Sequence, residues 1–153
     1  MSRARCPLSA GRLCGLAAFL ALFLGCGGHG GDPFSYVKVS GKVTYKDGSP
    51  LGPGITLLFI PQAEAVGKAN PKPGETASVD PKTGQFSKVT THTPFDGVVR
   101  GKHKVLVVGN NHGKLAASVL DPKYHDVKTT PLEYDTDALP WNITVDKPEK
   151  EKD

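Results

Sequence analysis

Turn chemistry cuts this chain into pieces too short for helices. Asp47-Gly48-Ser49-Pro50, Asp80-Pro81-Lys82-Thr83-Gly84 and Pro94-Phe95-Asp96-Gly97 each combine residues that set a turn φ with residues that bond their own backbone. Pro53 and Pro61 bracket the apolar run 55–60. The segments left between these points suit strands, since helices need runs of about 10 or more residues.

The patterning inside the segments agrees. In 37–45, Val37, Val39, Val43 and Tyr45 alternate with Lys38, Ser40, Lys42 and Thr44, the period of a half-buried strand. Residues 55–60, ITLLFI, are apolar on both faces, as in a strand covered on both sides. Residues 77–79 and 85–90 read as a hairpin around the turn at 80–84. Residues 101–108 form a second central strand, 132–134 a short one, and 141–145, WNITV, the last. Between them, 62–76 reads as a long surface loop. Residues 109–131 read as mostly irregular, with a loop tip at 110–113 and a helical turn over 115–120. About seven short strands with turns every 8–12 residues predict an all-β sandwich spanning 37–146. Its predicted core is Val37, Val39, Val43, Ile55, Leu57, Phe59, Phe86, Val105, Val107, Ile143 and Val145. Residues 147–153 read as a charged, disordered tail.

The first 25 residues have another composition. Arg3, Arg5 and Arg12 precede an apolar run over 13–25, which ends at Cys26 and the glycines 27, 28, 30 and 31. A basic start, a short apolar core and a small-residue end describe a cleaved export signal. A spanning helix needs about 20 apolar residues, and glycine cannot extend this run cheaply. Phe23-Leu24-Gly25-Cys26 resembles the bacterial lipobox, apart from Phe at the position where that pattern usually has Leu. The resemblance implies cleavage before Cys26 and attachment of lipid to its thiol. Residues 26–36 then act as a flexible, Gly-rich tether. Gly27, in place of the Asp that signals inner-membrane retention, points toward the outer membrane. The expected location is therefore outside the cytoplasm, lipid-anchored in the cell membrane or outer membrane, with the domain facing periplasm or cell surface.

Cleavage changes the charge and cysteine balance. Removing 25 of 153 residues leaves 128, enough for one domain with its own core. Taking three arginines from 19 basic side chains leaves 16 against 15 acidic ones, so the high isoelectric point belongs largely to the signal. A near-neutral domain without a basic stripe excludes nucleic acid as a partner class. Cys6 and Cys14 leave with the signal, and a single remaining cysteine provides neither a disulfide framework nor a cysteine-rich zinc site.

Gly41-Lys42-Val43, Asp47 to Leu51, Gly54 to Leu57, Asp80, Gly84-Gln85-Phe86 and Gly101 to Val105 resemble carboxypeptidase regulatory-like domains. That resemblance covers about residues 37–108 and implies a transthyretin-like Greek-key sandwich. The stretches Pro122-Lys123-Tyr124 and Thr130-Pro131-Leu132, with the final strand, are similar to small exported lipoproteins of planctomycete-type bacteria. Neither resemblance implies a catalytic activity.

The residues themselves carry no reaction either. His29, His92, His103, His112 and His125 have no chelating spacing. Tyr124-His125-Asp126 with Ser118 lacks the elbow that positions a nucleophile. No loop stacks carboxylates as a calcium site does, and the sequon Asn142-Ile143-Thr144 has no role in a bacterial chain. The sequence thus predicts a protein that is not an enzyme and has no metal or cofactor. It predicts an envelope lipoprotein whose domain makes structural or protein–protein contacts, held to membrane lipid through acylated Cys26. The alternative is a carbohydrate- or peptide-binding module, using loops 62–76 and 109–118 or a groove shared by Phe95, Tyr124 and Trp141.

Overall fold

The computed structural model describes residues 31–115 and 119–148. Two apolar runs organise them. Strand β3 (Ile55–Pro61) pairs antiparallel along its whole length with β8 (Lys102–Gly109), from Ile55 opposite Gly109 to Pro61 opposite His103. Ile55, Leu57, Phe59, Val105 and Val107 turn to the core. β4 (Gly74–Thr76) and β6 (Val89–Thr90) extend the sheet on one side and β9 (Glu133–Asp135) on the other, in the order β6-β4-β3-β8-β9. A second sheet has the order β10-β2-β5, built from β10 (Trp141–Val145), β2 (Gly41–Tyr45) and β5 (Gln85–Phe86). β2 runs parallel to β10 and antiparallel to β5. β1 (Tyr36–Val37) and β7 (Val98–Val99) form a small antiparallel pair.

The two larger sheets meet through aromatic side chains. The ring of Phe59 on β3 lies 5.8 Å from Phe86 on β5 and 5.2 Å from Trp141 on β10. Among the described residues the protein is all-β, with no α-helix, in an arrangement consistent with a β-sandwich. Of the predicted core, only Val37 is not fully buried. Leu51, Val79, Val89, Val98, Leu120, Tyr124, Leu132 and Trp141 complete it.

Several predicted elements break where the chain changes sheets. The alternating run 37–45 is two strands: β1 pairs with β7, then residues 38–40 carry the chain into β2 and the other sheet. Residues 85–90 divide likewise, β5 joining β2 and β6 joining β4. The predicted strand at 77–79 lies three residues earlier, at β4. The end of the expected loop 62–76 is therefore a buried part of the five-stranded sheet. The Thr76 hydroxyl there accepts the Leu57 N–H at 2.9 Å. A side chain at Gly74 would meet Thr91 and Val98 within 3 Å. β7 was not predicted at all. Of the helical turn expected over 115–120, residues 116–118 lie outside the described residues. Short 3-10 turns occur at Asn110–His112 and Pro122–His125 instead.

The ends of the domain also differ from expectation. Ser35 accepts the Arg100 N–H at 2.9 Å and Tyr36 pairs with Val99, so residues 32–36 are bound to the domain and are not tether. At the other end Lys147, read as tail, forms an ion pair with Asp47.

Gly84 has φ +75°, and a Cβ there would lie 2.1 Å from the Val43 carbonyl oxygen. Glycine is required to turn the chain while its own carbonyl accepts the Val43 N–H.

β10 is an edge strand, the kind that recruits other chains unless something blocks it. Tyr134 on β9 closes part of it, donating its hydroxyl to the Asn142 carbonyl at 2.9 Å. Tyr134→Phe should cost about 1 kcal/mol, the net value of one such bond. A fall in the urea midpoint at unchanged slope is the expected observation; an unchanged midpoint removes this bond from the stability of the edge.

Candidate functional site

Cys26, the predicted lipid-attachment residue, lies outside the described residues, as do His29 and Ser118. The structure does describe the point at which the chain joins the domain. The Asp32 carboxylate accepts the Phe34 N–H at 3.0 Å and the Tyr36 hydroxyl proton. Burial, then this bond, pushes the Tyr36 hydroxyl pKa up to about 12. The Tyr36 ring stacks on His92 at 6.4 Å, and His92 Nδ1 is 3.6 Å from Asp32. His92 therefore belongs to the surface formed around Asp32 and Tyr36.

His92 begins a tightly braced loop. The Asp96 carboxylate accepts the backbone N–H groups of Thr91, His92 and Thr93 at 2.8, 2.9 and 2.7 Å. Burial disfavours the charged carboxylate, but these donors outweigh it and hold its pKa below the usual carboxylate range. Gly97 closes the loop with φ +100°, where a Cβ would lie 2.0 Å from the Val37 carbonyl oxygen. Between them Phe95 has φ +62°, a costly conformation for a bulky residue. Its ring is 49% exposed, with Lys88 Nζ 5.6 Å from the centroid. The sequence shows a turn at 94–97; it does not show the carboxylate brace, which depends on backbone groups folding around Asp96.

The two loops singled out in the sequence do meet. His112 Nε2 lies 2.9 Å from a Glu75 carboxylate oxygen, joining the 109–115 segment to β4. An open polar groove of about 630 Å³ runs beside this pair, lined by Thr56, Glu75, Thr76, Thr90, Asn110 and Asn111. Asn111 and His112 both have left-handed φ, 57° and 59°. A second open groove of about 820 Å³ crosses the three-stranded sheet over Lys42, Gln85, Lys88 and Asn142.

The shared aromatic groove is overturned. Tyr124 and Trp141 are 2% and 1% exposed, so of the three rings only Phe95 reaches solvent. Both rings satisfy their polar atoms inside the fold: Trp141 Nε1 donates to the Asp135 carbonyl at 2.8 Å, and the Tyr124 hydroxyl donates to Asp146 at 2.9 Å. Asp146 also receives Lys46 and Lys123, which hold its carboxyl well below the usual range. This network fixes the end of β10. Asp126 does not orient His125; its carboxylate accepts the Lys128 N–H, and His125 Nε2 has no partner among the described residues. Among the described residues no three His, Cys, Asp or Glu side chains gather closely enough to hold a metal ion.

His103 sits in the core, 1% exposed, its ring 5.9 Å from Trp141. Nδ1 is 3.0 Å from the Gly101 carbonyl, which makes it the protonated nitrogen of a neutral ring; Nε2 is buried without a partner. Burial lowers the pKa from 6.5, more than the Gly101 bond raises it. The unfolded chain therefore binds this proton at higher pH than the folded one. Stability should fall as pH drops below about 6.5, until the lowered folded value is reached. His125, also lowered by burial, acts in the same direction. Urea midpoints at pH 7.5 should exceed those at pH 5.5, and His103→Leu should shrink the difference; an undiminished difference removes His103 as its source.

Compared with protein-family models, curated proteins and solved structures, the chain matches none.

Proposed function

We propose that this protein is an exported lipoprotein, acylated at Cys26, whose all-β domain makes structural or protein–protein contacts in the cell envelope. The observation that carries the reading is residues 1–26: three arginines, a 13-residue apolar run and a small residue before Cys26. The domain supports it in two ways. Its core is built from aliphatic and aromatic side chains, and the sequence has no cysteine after Cys26 with which that thiol could pair. The domain also begins by Asp32, six residues after Cys26, as suits a module held close to its anchor.

The fold we propose for the domain is a two-sheet Greek-key sandwich. A transthyretin-like, carboxypeptidase regulatory-like domain accounts for the glycine turns at 48 and 84 and for the parallel neighbours β2 and β10. The open grooves described above fit a contact surface better than an enclosed reaction site. Growth with an alkyne palmitate analogue tests the anchor: label on the wild-type protein and none on Cys26→Ser is the expected result. Unlabelled wild-type protein rejects it.

A further inference from the structure

We infer that loop 91–97 is a second membrane contact, with Phe95 seated in the interface of an anionic bilayer and the surrounding lysines against its headgroups. This rests on the acylation of Cys26 proposed above. Five residues lie between Cys26 and Asp32, and the six Cα-to-Cα steps this makes extend at most about 20 Å. Asp32 contacts both Tyr36 and His92, so this residue touches the loop that carries Phe95. A lipid on Cys26 therefore keeps this loop within a short reach of the bilayer surface.

The loop is built for such a contact. Phe95 is one of the most exposed large apolar side chains among the described residues, and it is held, not loose. Its left-handed φ is enforced on both sides: Phe95 N–H donates to Thr90 Oγ1 at 3.1 Å, and Asp96 takes three loop amides. A rigid aromatic tip loses little conformational freedom when it partitions into an interface. The charges around it are complementary to anionic lipid. Lys88 lies over the ring, the Lys38 backbone adjoins Gly97, and the charge of Lys72 is near enough to Asp32 to help, after its bonds to Tyr36 and Phe34, to lower that carboxyl's pKa. None of these three lysines makes an ion pair among the described residues. The two carboxylates of the patch, Asp32 and Asp96, keep their charge while accepting from Tyr36, Phe34 and the loop amides, so three lysines stand against two carboxylates. Lysines near an anionic surface add attraction that a single aromatic cannot supply. Two contacts, the acylated terminus and Phe95, would fix the face that the domain turns to the membrane and leave the rest for partners.

The test uses full-length acylated protein carrying Phe95→Trp, reconstituted into phosphatidylglycerol–phosphatidylethanolamine vesicles with brominated acyl chains. Wild-type protein, whose single Trp141 is buried, gives the background. Bromine should quench the added tryptophan roughly twofold, as for a ring held at the headgroup–acyl boundary. Unaltered protein provides a second readout: a photoactivatable phospholipid should label residues 88–97 in preference to the rest of the domain. If the protein floats with the vesicles and carries the acyl mass, but neither quenching nor labelling appears, the membrane contact is wrong while the anchor stands; Phe95 then faces a protein partner. If intact mass shows no acyl group on Cys26, the anchor reading fails and the inference falls with it.

Discussion

Cys26→Ser should move this protein from the membrane fraction to the soluble one and abolish incorporation of labelled fatty acid. The chemistry sets the size of the effect. The attacking group in lipid transfer to cysteine is the thiolate, and a free cysteine with a pKa near 8.5 supplies some at neutral pH; a serine hydroxyl supplies essentially none. Each buried methylene contributes about 0.8 kcal/mol, so a single acyl chain binds only marginally and two or more bind stably. A lipobox product carries three chains, and losing all of them leaves Phe95 and its lysines as the remaining attraction. Membrane association should then fall by orders of magnitude and become sensitive to salt. Cys6→Ser and Cys14→Ser are the controls. Both residues precede the proposed cleavage point, so neither change should alter labelling, and the mature N-terminal peptide should still begin at residue 26. Labelling that survives in Cys26→Ser would place the lipid elsewhere and undo the assignment.

The parts of this fold that could be read from sequence are those whose burial leaves a period. Residues 141–145 match β10 at both ends, and 55–60 and 101–108 match β3 and β8 within a residue at each boundary. These strands are long enough for alternation or a continuous apolar run to show. β1, β4 and β7 have two or three residues and leave no period. Gly74 reads as a loop residue, but it is in a strand because three neighbouring side chains leave no room for a Cβ. The switch between sheets at 38–40 was equally invisible, since apolar alternation continues through it while the pairing partner changes; at 87–88 the three-residue step from Phe86 to Val89 breaks the alternation, but each strand beside it has only two residues.

The site was harder to read than the fold. Tyr124 stands among Pro122, Lys123 and His125, surroundings that suggest a surface, yet its ring is buried and its hydroxyl is tied to Asp146, 22 residues away in sequence. Phe95, by contrast, follows a proline in a turn and is exposed as that context suggests. What the sequence could not show is that Asp96 locks its loop and that His92, in the same loop, lies beside Asp32 and Tyr36. Each of those facts depends on a contact whose partners are distant along the chain or lie in the backbone.

Trp141→Ala should be the most destabilising single change in the domain, because this ring is where the two larger sheets and β9 meet. It is 1% exposed and packs 5.2 Å from Phe59, 5.8 Å from Tyr134 and 5.9 Å from His103. Truncating a buried tryptophan costs about 3–5 kcal/mol through lost burial and the cavity left behind. The Asp135 carbonyl also loses its donor, Nε1 at 2.8 Å. A domain of this size has a total stability of about 5–15 kcal/mol, so most of it is at stake. With a urea slope of about 1–3 kcal/mol per molar, the midpoint should fall by roughly 2 M. Circular dichroism is the required probe, since Trp141 is the only tryptophan in the chain. Trp141→Phe separates the contributions: it keeps most of the buried area and loses the Nε1 bond, and should cost about 1–2 kcal/mol. A Trp141→Ala loss no greater than that of Trp141→Phe would mean that packing across the sheets contributes little, and that the hydrogen bond to Asp135 is what ties β10 to β9.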